Sequence, residues 1–178
     1  MNRLHLRALL LKAKELSGHS EFVIVGSLSI LGAVSEPPDA MVMSIDVDTY
    51  MKADPGRTGE LCDALGQGSA FEDEHGYYLA PVSPNLPSFP EGWRDRLIEL
   101  DFGEVRAFFV EPNDVAVSKY IRGDDRDMRW LRAGLKSGLL NLDTIGQEAD
   151  CRAQETPQAL RPKKLQPLLE KEKSLTNQ

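Results

Sequence analysis

VIVGSLSILGAV (Val23–Val34), followed nine residues on by MSIDVDTY (Met43–Tyr50), decides how this chain folds. An apolar run stops at Gly26-Ser27, small apolar residues resume, and the next run carries Asp46 and Asp48 two apart. The first stretch predicts a buried strand from Phe22 to Val25, a tight turn at Gly26-Ser27 and a buried helix from Leu28 to Val34. Pro37-Pro38 excludes regular structure and predicts a loop. From Met41 to Asp48 the residues alternate as in a strand. Val42, Ser44, Asp46 and Asp48 then share one face, and Met41, Met43, Ile45 and Val47 the other.

Two carboxylates on one strand face are costly to bury unless a positive group meets them. A divalent cation is the simplest such group, and carboxylates suit Mg²⁺, which completes its shell with water and phosphate oxygens. A Gly-Ser turn at a helix mouth offers a phosphate backbone N–H groups, a hydroxyl and the positive end of a helix dipole. Together they predict phosphoryl or nucleotidyl transfer, with Asp46 and Asp48 on the metal and Gly26 and Ser27 on the phosphates.

Outward from this centre, residues 3 to 16 read as an amphipathic helix, with Leu4, Leu6, Leu9, Leu10, Ala13 and Leu16 on one stripe and Arg3, Arg7, Lys12 and Lys14 between them. Residues 58 to 66 read as a short helix. The long connection from Phe71 to Trp93, with four of the eleven prolines, holds one strand from Tyr77 to Val82. Arg96 to Phe102 and Val105 to Val110 predict a hairpin around Gly103-Glu104. Asn113 or Asp114 is expected to cap a helix running to about Arg122. A second helix follows from Gly123-Asp124 to Lys136, with Met128, Leu131 and Leu135 inward, and residues 139 to 153 read as one more. The expected fold is α+β: a mixed β-sheet flanked by helices, in one domain over residues 1–153 that includes a helical C-terminal extension. Residues 154–178 are expected to form a polar, flexible tail.

At 178 residues the chain can bury about two thirds of its unfolded surface in one core. No run approaches eighteen apolar residues, and the N-terminal apolar stretch is short and broken by Arg and Lys. A cytoplasmic protein with no membrane partner is therefore expected. Cys62 and Cys151 have no second Cys or His at ligand spacing and read as plain thiols. A net charge of −7 argues against nonspecific gripping of nucleic acid. Local basic patches remain, on the first helix and from Tyr120 to Lys136.

Taken singly, these residues have ordinary readings. Gly26-Ser27 is a tight turn, Asp46 and Asp48 a solvated strand end with Thr49 and Tyr50 opening a loop, and Lys119 a solvated helix lysine. Asp124 and Asp125 suit a helix N-terminus, and Asp127 divides between that role and a site. His75 reads as a loop residue, His5 and His19 show no partner, and Trp93, Trp130, Phe108 and Phe109 read as core. The order of Gly-Ser turn and Asp-x-Asp strand favours the metal and phosphate site.

Gly26-Ser27, a helix and Asp46-Val47-Asp48 resemble the signature of the nucleotidyltransferase superfamily that includes DNA polymerase beta. HGYYLAPVSPNLPSFPEGWRDRL (His75–Leu97) and NDVAVSKYIRGDDRDMRWLRAGLKSGLL (Asn113–Leu140) resemble bacterial nucleotidyltransferase-like proteins of unknown function. Those are related to the toxins of AbiE-type toxin–antitoxin systems. The resemblance, over roughly residues 20 to 140, implies a minimal nucleotidyltransferase fold, one or two Mg²⁺ ions and a nucleoside triphosphate substrate. It implies that Lys119 faces the phosphates and that Asp127 assists near the metals or orients the acceptor. The acceptor stays open among RNA, a protein and a small molecule, and an antitoxin protein becomes a candidate partner. Two features depart from the pattern. The gap from Ser27 to Asp46 is longer than in many such toxins, and no third metal-binding carboxylate is evident, with Glu99, Asp101 and Glu104 on the hairpin as candidates. Metal-dependent nucleotidyl transfer is the expected function. A catalytically weak module that docks a protein partner through its basic first helix and tail is the competing expectation, and a nuclease using the same acids the third.

Overall fold

The computed structural model describes residues 1–85 and 89–155, so the predicted tail lies outside it from residue 156 on. The first helix, α1 (Arg3–Ser17), is capped by the Asn2 side chain, which accepts from the His5 N–H. Leu6, Leu9, Leu10 and Ala13 are fully buried, as their spacing predicts, whereas Leu4 and Leu16, read onto the same stripe, lie near the two ends of the helix and are 74% and 50% exposed. Each of the buried leucines contributes about 1.5–3 kcal/mol relative to exposure.

Five strands, β1 (Glu21–Ile24), β2 (Asp46–Met51), β3 (Tyr78–Pro81), β4 (Ile98–Asp101) and β5 (Arg106–Phe109), form one mixed sheet in the order β3-β2-β1-β5-β4. β1 pairs antiparallel with β2 and parallel with β5. β3 runs parallel to β2, and β4 antiparallel to β5. Phe22, Val23 and Ile24 are buried because β1 is central, which is why it reads as an unbroken apolar run. The helices α2 (Ile30–Ala33), α3 (Cys62–Leu65), α4 (Ala70–His75), α5 (Pro112–Arg122), α6 (Asp125–Lys136) and α7 (Leu142–Glu155) complete the α+β fold. α2 packs on β4 and β5, where a Cβ on Gly32 would run into the Phe109 ring. α5 packs against α6 and α7. Among the described residues no helix is long and apolar enough to cross a membrane.

Several boundaries differ from expectation, each for a physical reason. β2 begins at Asp46, whereas the alternation starts at Met41. Residues Asp39–Met41 make a 3-10 turn instead, and the side chain of Met41 enters the core. Pairing sets the strand's extent: β3 reaches Asp46 to Thr49 and β1 reaches Thr49 to Met51. The two acids therefore open the strand, and Thr49 and Tyr50 continue it. α5 is capped by Glu111, whose side chain accepts from the Asn113 and Asp114 N–H groups at 2.7 and 3.2 Å. Pro112 takes the first helical position, which moves the cap to the residue before it. Asp114 instead binds Arg96 through both carboxylate oxygens. α4, within what reads as a loop, has no buried residue and hence no apolar period; Ser69 and Gly76 cap it. His5 has a partner after all, stacking on Tyr77 at 5.2 Å, and His75, read as a loop residue, ends α4 and stacks on the same ring at 5.9 Å.

Candidate active site

Gly26 follows the central strand with φ 69, a conformation that favours glycine. A Cβ there would overlap the Asp48 carboxylate, so the missing side chain lets the acid of β2 lie directly against the turn. The Val25 N–H donates to the Asp48 carbonyl at 2.9 Å, and the buried Ser29 hydroxyl donates to the Ile24 carbonyl at 2.9 Å, which fixes the turn on the sheet. Beyond it the chain makes a 3-10 turn, Ser27–Ser29, and the four-residue α2. So short a helix carries little dipole, so the positive potential expected at its mouth has to come from side chains.

Those side chains come from α5 and α6. The Lys119 ammonium donates to the Ser27 hydroxyl at 2.9 Å and to Asp127 Oδ1 at 2.8 Å. With three N–H donors, it keeps one for a ligand. Asp127 also accepts from Arg122, Nε to Oδ2 at 2.6 Å and Nη2 to Oδ1 at 2.7 Å. Lys119 and Asp127 are only 4% and 2% exposed. Burial pulls the Lys119 pKa down against the opposing pull of Asp127. Burial pushes the Asp127 carboxyl up, but its bonds from Arg122 and Lys119 outweigh this and hold it below its usual range. Gly123, at φ 71, turns the chain between the two helices so that residues eight apart can meet. The structure thus brings Gly26, Ser27, Asp48, Lys119 and Asp127 into one connected group. Arg122 is the member sequence reasoning missed, and so is the second role of Trp130. Buried as expected, Trp130 also donates its indole N–H to the carbonyls of Ser27 and Met41, at 3.2 Å each.

Asp46 shares the strand face of Asp48 and accepts from the Ser44 hydroxyl at 2.6 Å. Burial, and then the charge of Asp46, raise the Asp48 pKa from 3.8 to about 6, against the opposing pull of Lys119 and Arg122. A carboxylate whose pKa is raised by burial and by a like charge beside it, next to a lysine already engaged elsewhere, fits a divalent cation. Among the described residues, no group of three or more His, Cys, Asp and Glu side chains is placed to hold a metal. Two carboxylates suffice for Mg²⁺ when phosphate and water complete its shell. The hairpin acids are not near. β4 lies across β1 and β5 from β2, with Glu99 taken by Arg106, Asp101 by the Gly103 N–H and Glu104 by Lys14. β3, the strand beside the acids, sets Tyr78 opposite Asp46 and Ala80 opposite Asp48, with no carboxylate.

Two cavities meet these residues, and neighbours in sequence divide between them. Gly26 and Asp48 line a cavity of about 370 Å³ with Lys119, Arg122 and the apolar Phe89 and Ile121. Ser27 and Asp46 line another of about 420 Å³, with Met43, Ile45, Arg126 and Arg129.

A mixed sheet with a Gly-Ser turn set against an Asp-x-Asp strand is the layout of a nucleotidyltransferase-like protein. The chain belongs to the family described as nucleotidyltransferase of unknown function (DUF6036), whose family model matches residues 4–165. No curated protein and no solved structure matches it.

Proposed function

We propose that the protein transfers a nucleoside monophosphate from a nucleoside triphosphate to an acceptor hydroxyl, in a Mg²⁺-dependent reaction. The observation that carries this is the Asp48 carboxylate lying against Gly26 while Lys119 binds Ser27. It couples a metal-ligand pair to a phosphate cradle. Asp46 and Asp48 would hold Mg²⁺, which when bound neutralises charge on the triphosphate. Gly26 and Ser27 position the phosphates, and the free N–H of Lys119 adds a point charge. Asp127 acts through Lys119 and Arg122, keeping both cations aimed. The first cavity, charged at Asp48, Lys119 and Arg122 and apolar at Phe89 and Ile121, suits a nucleotide with its base on the apolar lining.

The likeness of Asn113–Leu140 to bacterial nucleotidyltransferase-like proteins that are related to AbiE-type toxins extends the proposal to the toxin of a bacterial toxin–antitoxin pair. An antitoxin protein is then its partner in the cytoplasm. Incubation with α-labelled triphosphates, Mg²⁺ and a total RNA and protein extract tests the transfer. Label should enter one acceptor and be lost with a chelator or with Asp46→Asn plus Asp48→Asn. Label that enters nothing sinks the proposal. The absence of an acid on β3 favours one second reading, a nucleotide-independent binding module. Partner binding that survives those two substitutions would support it.

A further inference from the structure

The second cavity carries more than the donor nucleotide needs. Arg126 and Arg129 are three apart on α6 and so lie on one face of it. Among the described residues no hydrogen bond or ion pair reaches either guanidinium. Elsewhere arginines are engaged: Arg3 and Arg7 with backbone carbonyls, Arg96 with Asp114 and Arg122 with Asp127. The same cavity contains Met43, 72% exposed, and Ile45, 50% exposed. An arginine couple with no partner among the described residues, an exposed apolar pair and the Asp46 carboxylate thus line one hollow.

We propose that this cavity takes the acceptor and that the acceptor is the 3′ end of a nucleic-acid strand, an inference that rests on the transfer reading above. Guanidinium forks bind phosphodiester oxygens bidentately, and exposed apolar side chains offer a face to a base splayed out of its stack. A polycationic acceptor would meet two arginines of its own sign. The net charge of −7 repels a long polyanion, so the strand is held by its last nucleotides rather than tracked along its length. In the transfer, the terminal 3′ oxygen bonds to the α-phosphorus and the bond from that phosphorus to the β-phosphate oxygen breaks. Pyrophosphate leaves, and the hydroxyl proton passes to water.

Fluorescence anisotropy of a short labelled single strand, in RNA and DNA versions, tests the site with the full chain. Arg126→Ala with Arg129→Ala should weaken strand binding about tenfold or more and reduce the salt slope by about 1.4, the loss of two phosphate contacts. Calorimetric ATP binding should stay within about twofold, which shows that the variant is folded. Arg126→Lys with Arg129→Lys, which keeps the charge and loses the fork, should restore the salt slope but only part of the strand affinity. With α-labelled triphosphate, a 3′-hydroxyl strand should take up label and a 3′-phosphate strand should not. Equal strand binding by wild type and alanine variant, or label on a protein or a small molecule, overturns the inference. Arginine-dependent strand binding with label moved to no acceptor keeps the strand site and instead overturns the transfer reading.

Discussion

Asp48 carries the largest electrostatic tension in the site. Its folded pKa of about 6 lies above the ordinary 3.8, so folding takes up a proton between these values. The penalty in the metal-free protein is therefore absent near pH 4, grows as pH rises and is complete above about 6. Asp48→Asn should stabilise the chelator-treated protein near neutral pH by on the order of 1–3 kcal/mol and have little effect near pH 4. Urea unfolding at the two pH values measures this; equal gains at both would contradict it. The same shift predicts that Mg²⁺-dependent nucleotide binding weakens about tenfold per pH unit below 6, as proton and cation compete for one carboxylate. Gly26 is the second residue at which one atom matters. Gly26→Ala should cost about 1–3 kcal/mol for the positive φ and displace the Asp48 carboxylate, so nucleotide binding falls together with the melting temperature.

Between elements, the site depends on the joint of α5 and α6. Lys119 and Asp127 sit on different helices, and removing one leaves the other charge buried. Asp127→Ala should cost about 3–5 kcal/mol in urea unfolding. Lys119→Met combined with Asp127→Leu should recover most of that stability while nucleotide binding stays lost. Recovery of both would show the pair to be structural only. Little of this joint was legible in the sequence. Lys119 and Asp127 drew attention through resemblance, because nothing in their spacing says that the Gly123 turn folds one helix onto the other. Arg122 read as one of several cations in the basic patch from Tyr120 to Lys136. Trp130 was read as core, but its bond to the Met41 carbonyl depends on where the 3-10 turn at Asp39–Met41 lies, and no local pattern fixes that.

Across the whole molecule, the parts written in local periodicity were the legible ones: α1, the central strand, the β4–β5 hairpin and the two-residue spacing that keeps Asp46 and Asp48 on one face. Strand order was not, since it depends on pairings between distant segments. That order puts the hairpin acids at the far edge from the Asp-x-Asp pair. It also decides which basic surface is free. α1 looks like a docking face in the sequence, yet Arg3 donates to the Leu31 and Gly32 carbonyls, Arg7 to Phe102, and Lys14 pairs with Glu104 on the hairpin loop. These cations fasten the first helix to the body. Arg7→Ala with Lys14→Ala should therefore cost about 0–1 kcal/mol of stability, as exposed pairs do, and leave strand binding and its salt slope as in the wild type. The same measurement on the α6 arginine pair should show the opposite, a loss of strand affinity with stability kept. Strand binding weakened by the α1 pair and untouched by the α6 pair would move the polyanion to the other end of the molecule, away from Asp46.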